Sequence, residues 1–282
     1  MTDNQRGSLF MTLSMAGFAV EDMFLKSAAQ SLPVGQVLLV MGLCGALWFA
    51  LTSFRAGETA LPDALLSRTM AVRSTFEVVG RLFYALAIAL TPLSVASSIL
   101  QATPLVVVLG AAVIFGETVG ARRWILTGLG FIGVLVILRP GLSGFDALSL
   151  LAVIGLLGFA GRDLATRAAP PALSNAQLGT AGFLVLAFSG AVILAFTQGP
   201  DLPTAPEAVK ILGATVFGVL GYSFLTRAMR TGEVSAVTPF RYTRLLFALA
   251  LGMAVFGERP DAATLIGAAI IVTCGVLILT RR

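Results

Sequence analysis

Apolar runs of roughly 18 to 24 residues recur along the chain with short polar breaks, and each is long enough to cross a hydrocarbon core of ~30 Å. The pattern predicts spans near 7–28, 33–54, 69–90, 92–115, 122–139, 146–166, 174–196, 209–229, 233–256 and 262–279. The runs are continuous and do not alternate, so helices are expected, because lipid leaves only helices and closed barrels able to satisfy their own backbone. Leu32-Pro33, Thr91-Pro92, Arg139-Pro140-Gly141, Pro170-Pro171 and Gly199-Pro200 fall between spans. Almost nothing separates spans three and four, which predicts a tight hairpin there.

Composition sharpens this picture. Of 282 residues, 57% are hydrophobic and 12% charged, and the mean hydropathy is +0.94. A water-exposed surface needs more charge than that, whereas lipid tolerates it. The basic residues are scattered among apolar runs and form no nucleic-acid patch. With the N-terminus inside, cytoplasmic segments hold Arg6, Arg55, Arg68, Arg73, Arg122, Arg123, Arg167, Arg227, Arg230, Arg281 and Arg282, against Lys26, Arg139, Lys210 and Arg259 opposite. Both termini are therefore expected in the cytoplasm. The first apolar run leads into Glu21-Asp22 with no small-residue cleavage pattern before it, so no cleavable signal is expected.

A shift of 141 residues, half the chain, lays the sequence on itself without a gap. Gly17-Phe18-Ala19 meets Gly158-Phe159-Ala160, Asp22 meets Asp163, and Lys26 meets Arg167. Gln36 meets Gln177, Gly80 meets Gly221, and Phe115-Gly116-Glu117 meets Phe256-Gly257-Glu258. Residues 1–141 and 142–282 thus read as two five-helix repeats. Because five is odd, the second copy must enter the membrane from the opposite side. Inverted-topology repeats are an architecture of secondary transporters, with the substrate near the midplane between them.

Ionisable groups inside spans mark the candidate chemistry. Glu21, Asp22, Glu77 and Asp163 are balanced in charge by Arg81, Arg162, Arg241 and Arg244. Glu77 and Arg81 stand at i and i+4, fit for a structural bridge or a substrate contact. Arg241 and Arg244 flank Tyr242 and follow Pro239, which interrupts the backbone ladder. A guanidinium fork suits a carboxylate, so Arg244 either meets an amino-acid carboxylate or pairs with Glu77 or Asp22. Tyr84, Gln101 and Tyr222 offer midplane hydrogen bonds, to a substrate or between helices. Asp22 and Asp163 are candidates for coupling, and Glu117 and Glu258, with Pro104 and Pro239, for gating.

Other chemistry is excluded. The chain has no histidine, which removes Ser-His-Asp and Cys-His nucleophiles and His-ligated metals. Cys44 and Cys274 lie in apolar runs and read as packing residues. Gly128, Gly130 and Gly133 spell a dinucleotide fingerprint, but no strand precedes them and helix packing explains them. No cofactor, nucleotide motif or catalytic constellation is expected. Short loops leave no room for an ATPase module, so the energy source is a gradient.

Ala85 to Ser94, Pro104 and Phe115-Gly116-Glu117 resemble the EamA domain of the drug/metabolite transporter superfamily. Ala228, Ser235, Pro239 and Phe256-Gly257-Glu258-Arg259-Pro260 repeat that resemblance in the second half, so it covers the whole chain. The chain also looks similar to YddG-type amino-acid exporters. The resemblance implies a cavity lined by helices 1–4 and 6–9, with helices 5 and 10 peripheral. It also implies alternating-access export of amino acids or related metabolites across a bacterial inner membrane, by a lipid-embedded protein expected to be a monomer. An importer or exchanger of another compound is the nearest alternative, followed by a membrane-embedded enzyme or structural bundle.

Overall fold

The structure is a computed structural model that describes residues 1–90, 99–138, 148–197, 199–256 and 261–280. Among the described residues it is all-helical, with ten long helices. These are α1 (Asp3–Ala28), α2 (Val34–Arg55), α3 (Arg68–Leu90), α4 (Thr103–Phe115) and α5 (Ala121–Leu138) in the first half. In the second half they are α6 (Ser149–Arg167), α7 (Asn175–Ala195), α8 (Ala205–Arg230), α9 (Thr243–Phe256) and α10 (Ala262–Thr280). By length and apolar composition alone, four segments among the described residues qualify to cross a membrane: Asp3–Leu25, α2, α7 and α8. Several other helices carry inward-facing charges, which lower their mean hydropathy.

Capping fixes several starts. Thr2 and Gln5 form a reciprocal capping box at α1, and Ser174 and Gln177 form another at α7. The α4 helix ends on Gly116, whose φ of 66° is the left-handed conformation that glycine adopts without strain.

Two spans expected to run unbroken are interrupted. A turn at Gln101 and Ala102 precedes α4, with Pro104 buried in its first turn. Ahead of α9 lie a single helical turn, Val234–Val237, and a 3-10 stretch, Thr238–Tyr242, which contains Pro239. Each proline removes an N–H donor and crowds the preceding turn, so the ladder restarts beyond it. The expected hairpin at Thr91-Pro92 and the residue Glu258 lie outside the described residues.

The helices pack mainly as pairs: α1 with α8, α2 with α7, α3 with α6, and α5 with α10. Next come α1 with α9 and α4 with α6. Lipid tails are as apolar as leucine, so close backbone approach drives this association more than apolar burial does. Gly17 lies on Gly221, where an added Cβ would stand 3.0 Å from the facing Cα, and Gly158 lies on Gly80. Met41, Phe49, Phe183 and Tyr222 fill one core. Met11, Met15, Val107, Leu225 and Met229 fill another. The α5–α10 pair joins the rest through Tyr242, packed with Val134 and Ile271. Two of the fingerprint-like glycines serve this contact, Gly130 meeting the Tyr242 ring and Gly133 the Gly267 carbonyl, whereas Gly128 faces open space.

Candidate functional site: a charged cluster between the halves

Arg73, Glu77 and Arg81 lie at successive four-residue steps on α3 and therefore share one face. Glu77 is fully buried among three guanidinium groups, with Arg73 at 3.3 Å, Arg81 at 3.5 Å and Arg162 of α6 at 3.6 Å. Asp163 is also buried. Its Oδ1 accepts from Nε and Nη2 of Arg162 at 3.0 and 2.8 Å, and its Oδ2 pairs with Arg241. Arg73 donates to Thr166 Oγ1 at 3.0 Å and to the Tyr222 hydroxyl, its guanidinium lying over the Tyr222 ring. Four arginines surround two carboxylates here, an arrangement that holds only because each carboxylate meets at least two cations.

A second group continues from the first. Arg244 donates from Nε at 2.9 Å and from Nη2 at 2.5 Å, both to Oδ2 of Asp22. Its guanidinium also lies over the Phe18 ring, 5.5 Å from the centroid. This pair is open: the Arg244 side chain is 34% accessible and that of Asp22 is 49%, against 0% for Glu77 and 1% for Asp163. Glu21 lies within electrostatic reach of Asp22, Arg244 and Arg81, which links the two groups across the α1–α3–α6–α9 junction.

Of the residues singled out in the sequence, Glu77, Arg81, Asp163 and Tyr222 meet in the buried group, and Asp22 and Arg244 form the open pair. Tyr84 stacks edge-on against Phe159 at 6.0 Å and lies within electrostatic reach of Arg244. Gln101 is half-buried in the turn before α4. Tyr242 is elsewhere: its hydroxyl donates to the Thr127 carbonyl of α5 at 3.3 Å, turned away from the charges by the 3-10 stretch. Glu117 caps the broken ninth span, accepting from the Val234 and Ser235 N–H groups at 2.9 and 3.0 Å. Pro104 and Pro239 stand at the two helix breaks.

Arg73 corrects the sequence reading, which counts it with the cytoplasmic loops. It is 1% exposed and helps to organise the buried group. Without it the basic bias still favours the same side. Its four-residue spacing from Glu77 is the signal that locates it. An apolar groove of about 720 Å³, lined by Val72, Phe76, Leu109, Val113 and Leu157, lies on a different face of α3, α4 and α6.

The profile described as the EamA-like transporter family matches twice, over residues 5–139 and 145–281. The chain is 28% identical over 280 residues to the pseudopaline exporter CntI of Pseudomonas aeruginosa, covering 98% of this chain and 97% of that one. It is 28% identical to a riboflavin transporter of Rhizobium johnstonii, covering 69% of this chain and 64% of the relative. An S-adenosylmethionine uptake transporter of Rickettsia prowazekii is 27% identical, with 70% and 65% covered. A solved crystal structure superposes with a TM-score of 0.80 at 19% identity over 97% of both chains, which establishes the shared fold. These named relatives are transporters and not enzymes, although their substrates and directions differ. With the profile matched in each half, the chain belongs to the EamA-like transporter family of multi-pass membrane proteins.

Proposed function

We propose that the protein is a secondary transporter that exports amino acids or related small metabolites by alternating access across the bacterial inner membrane, as a monomer with both termini cytoplasmic. The observation that carries this is the open Arg244–Asp22 pair. Glu77 and Asp163 are buried and saturated with cations, whereas Arg244 spends two donors on a single oxygen and remains accessible. A substrate carboxylate offers two oxygens to the same fork, in place of the single oxygen that Asp22 presents. Tyr84, Arg81 and Gln101 complete the substrate surface, while Glu77 holds Arg81 in place. Tyr222 and Tyr242, committed to Arg73 and Thr127, support the site from behind.

In this proposal residues 1–141 and 142–282 are inverted repeats that rock against each other. The helix pairing supports it. Advancing each helix by five turns the α1–α8 pair into α6–α3 and α1–α9 into α6–α4, and returns α2–α7 and α5–α10 to themselves. Gly17 on Gly221 becomes Gly158 on Gly80. Gln36 clasps the Asp201 backbone with Nε2 at 2.6 Å from its carbonyl, and its counterpart Gln177 donates to the Thr59 carbonyl at 2.8 Å. Each glutamine thus ties down a loop of the other half. The breaks at Pro104 and Pro239 serve as hinges, with Glu117 and its repeat partner Glu258 as gating caps and Asp22 and Asp163 as coupling carboxylates.

Counterflow into proteoliposomes across a panel of labelled amino acids tests the substrate. Accumulation of at least one is expected, and exchange of some other metabolite with no amino acid moved would overturn it. An uptake direction is the second reading, favoured by the uptake transporter among the relatives. Transport in inside-out against right-side-out vesicles separates the two.

A further inference from the structure

The repeat offset places Glu21 where the second half has Arg162, and Glu77 where it has Gly218. The contacts correspond as well. Arg162 Nη1 lies 3.6 Å from Glu77 Oε1, and the Glu21 carboxyl lies on Gly218, where an added Cβ would be 3.1 Å from Cδ and Oε1. One pair of positions is thus occupied by a cation and an anion, and the equivalent pair by an anion and no side chain. Among the described residues Glu21 has no ion-pair partner within 4.0 Å. Its nearest cations are engaged with other carboxylates: Arg244 with Asp22 and Arg81 with Glu77.

We infer that the Glu21 carboxyl, which packs on Gly218, forms a subsite for the ammonium group of the substrate, beside the carboxylate subsite at Arg244. This deepens the transport proposal and rests on it. A compact ammonium has three donors and suits a carboxylate that no cation of the described residues pairs with. Glu21 supplies the anion there, and the chain bond between Glu21 and Asp22 keeps this subsite adjacent to the Arg244 fork. The two subsites together suit a zwitterion with both charged groups on one carbon, as in an α-amino acid. A simple carboxylic acid would leave Glu21 uncompensated, which gives the site a reason to reject it.

The test uses the full-length protein in proteoliposomes, with an amino acid that the wild type exchanges and the carboxylic acid made from it by replacing the ammonium with hydrogen. Both compete against the labelled amino acid, and the ratio of their half-inhibitory concentrations is read. The wild type is expected to favour the amino acid at least ~10-fold, the range of a lost charged hydrogen bond. Glu21→Gln is expected to remove most of that preference, with the carboxylic acid binding as well as before or better. Gly218→Ala sets a methyl group about 3.1 Å from the present position of the Glu21 carboxyl, displacing it with every charge retained, and is expected to lower the ratio in parallel. An unchanged ratio in either variant overturns the assignment and leaves the transport proposal standing. A wild type that exchanges no amino acid contradicts the transport proposal, and the ammonium subsite falls with it.

Discussion

Arg244 of α9 holds Asp22 of α1 through two donors on one carboxylate oxygen, and both side chains remain accessible. The pair ties together helices from opposite halves of the chain. It also presents a guanidinium whose present partner resembles the carboxylate end of a metabolite. On the proposed function, Asp22 is a competitor that a substrate must displace.

Removing the competitor should tighten binding. Asp22→Asn leaves a hydrogen-bonding side chain of the same shape without its charge. Half-saturation in counterflow is expected to fall by about 10-fold, equivalent to ~1.4 kcal/mol. If Asp22 were purely structural, half-saturation would stay the same or rise.

Glu77 is expected to be structural. Glu77→Gln removes the charge that faces Arg73, Arg81 and Arg162 in a water-poor interior. Breaking a buried ion pair in this way costs about 3–5 kcal/mol. A large drop in Tm of the detergent-solubilised protein is expected. An unchanged Tm would mean that the arginines find other anions.

The helix crossings should be equally sensitive in both halves. Gly80→Val and its repeat counterpart Gly221→Val each place methyl groups against equivalent rings, Phe159 and Phe18, where a Cβ alone stands 3.0 and 2.8 Å away. Both are expected to lower the yield of folded protein to a similar extent. Gly128→Ala meets nothing within 4 Å and serves as the neutral control. Unequal losses from the two valine variants would argue against equivalent halves.

Much of this was legible in the chain. The helices follow from uninterrupted apolar runs, and the offset of 141 foreshadows the glycine crossings and the paired glutamine clasps. The breaks before α4 and α9 were less visible, because a proline in an apolar run can kink a helix or end it. Arg73 lies near the start of its span, where an arginine usually reaches for the interface; Glu77 one turn on, with Tyr222 and Thr166 opposite, draws it inward. Tyr242, flanked by two arginines in sequence, faces the other way because the 3-10 stretch changes the angular step between neighbours.

Glu117 offers a test of the ninth span. Its two oxygens cap the Val234 and Ser235 N–H groups, so Glu117→Ala should cost ~1–2 kcal/mol at that helix start. Faster amide exchange confined to residues 234–238 is the expected readout. Protection equal to the wild type would show that the cap is dispensable.

The central claim is that Arg244 receives a substrate carboxylate. Counterflow of a labelled amino acid into proteoliposomes, comparing the wild type with Arg244→Ala at matched amounts of folded protein, tests it most directly. Robust accumulation by the wild type and a loss of at least ~100-fold in the variant, the range for a charge-assisted bidentate contact, is the expected result. Accumulation by Arg244→Ala at the wild-type rate and half-saturation would contradict it.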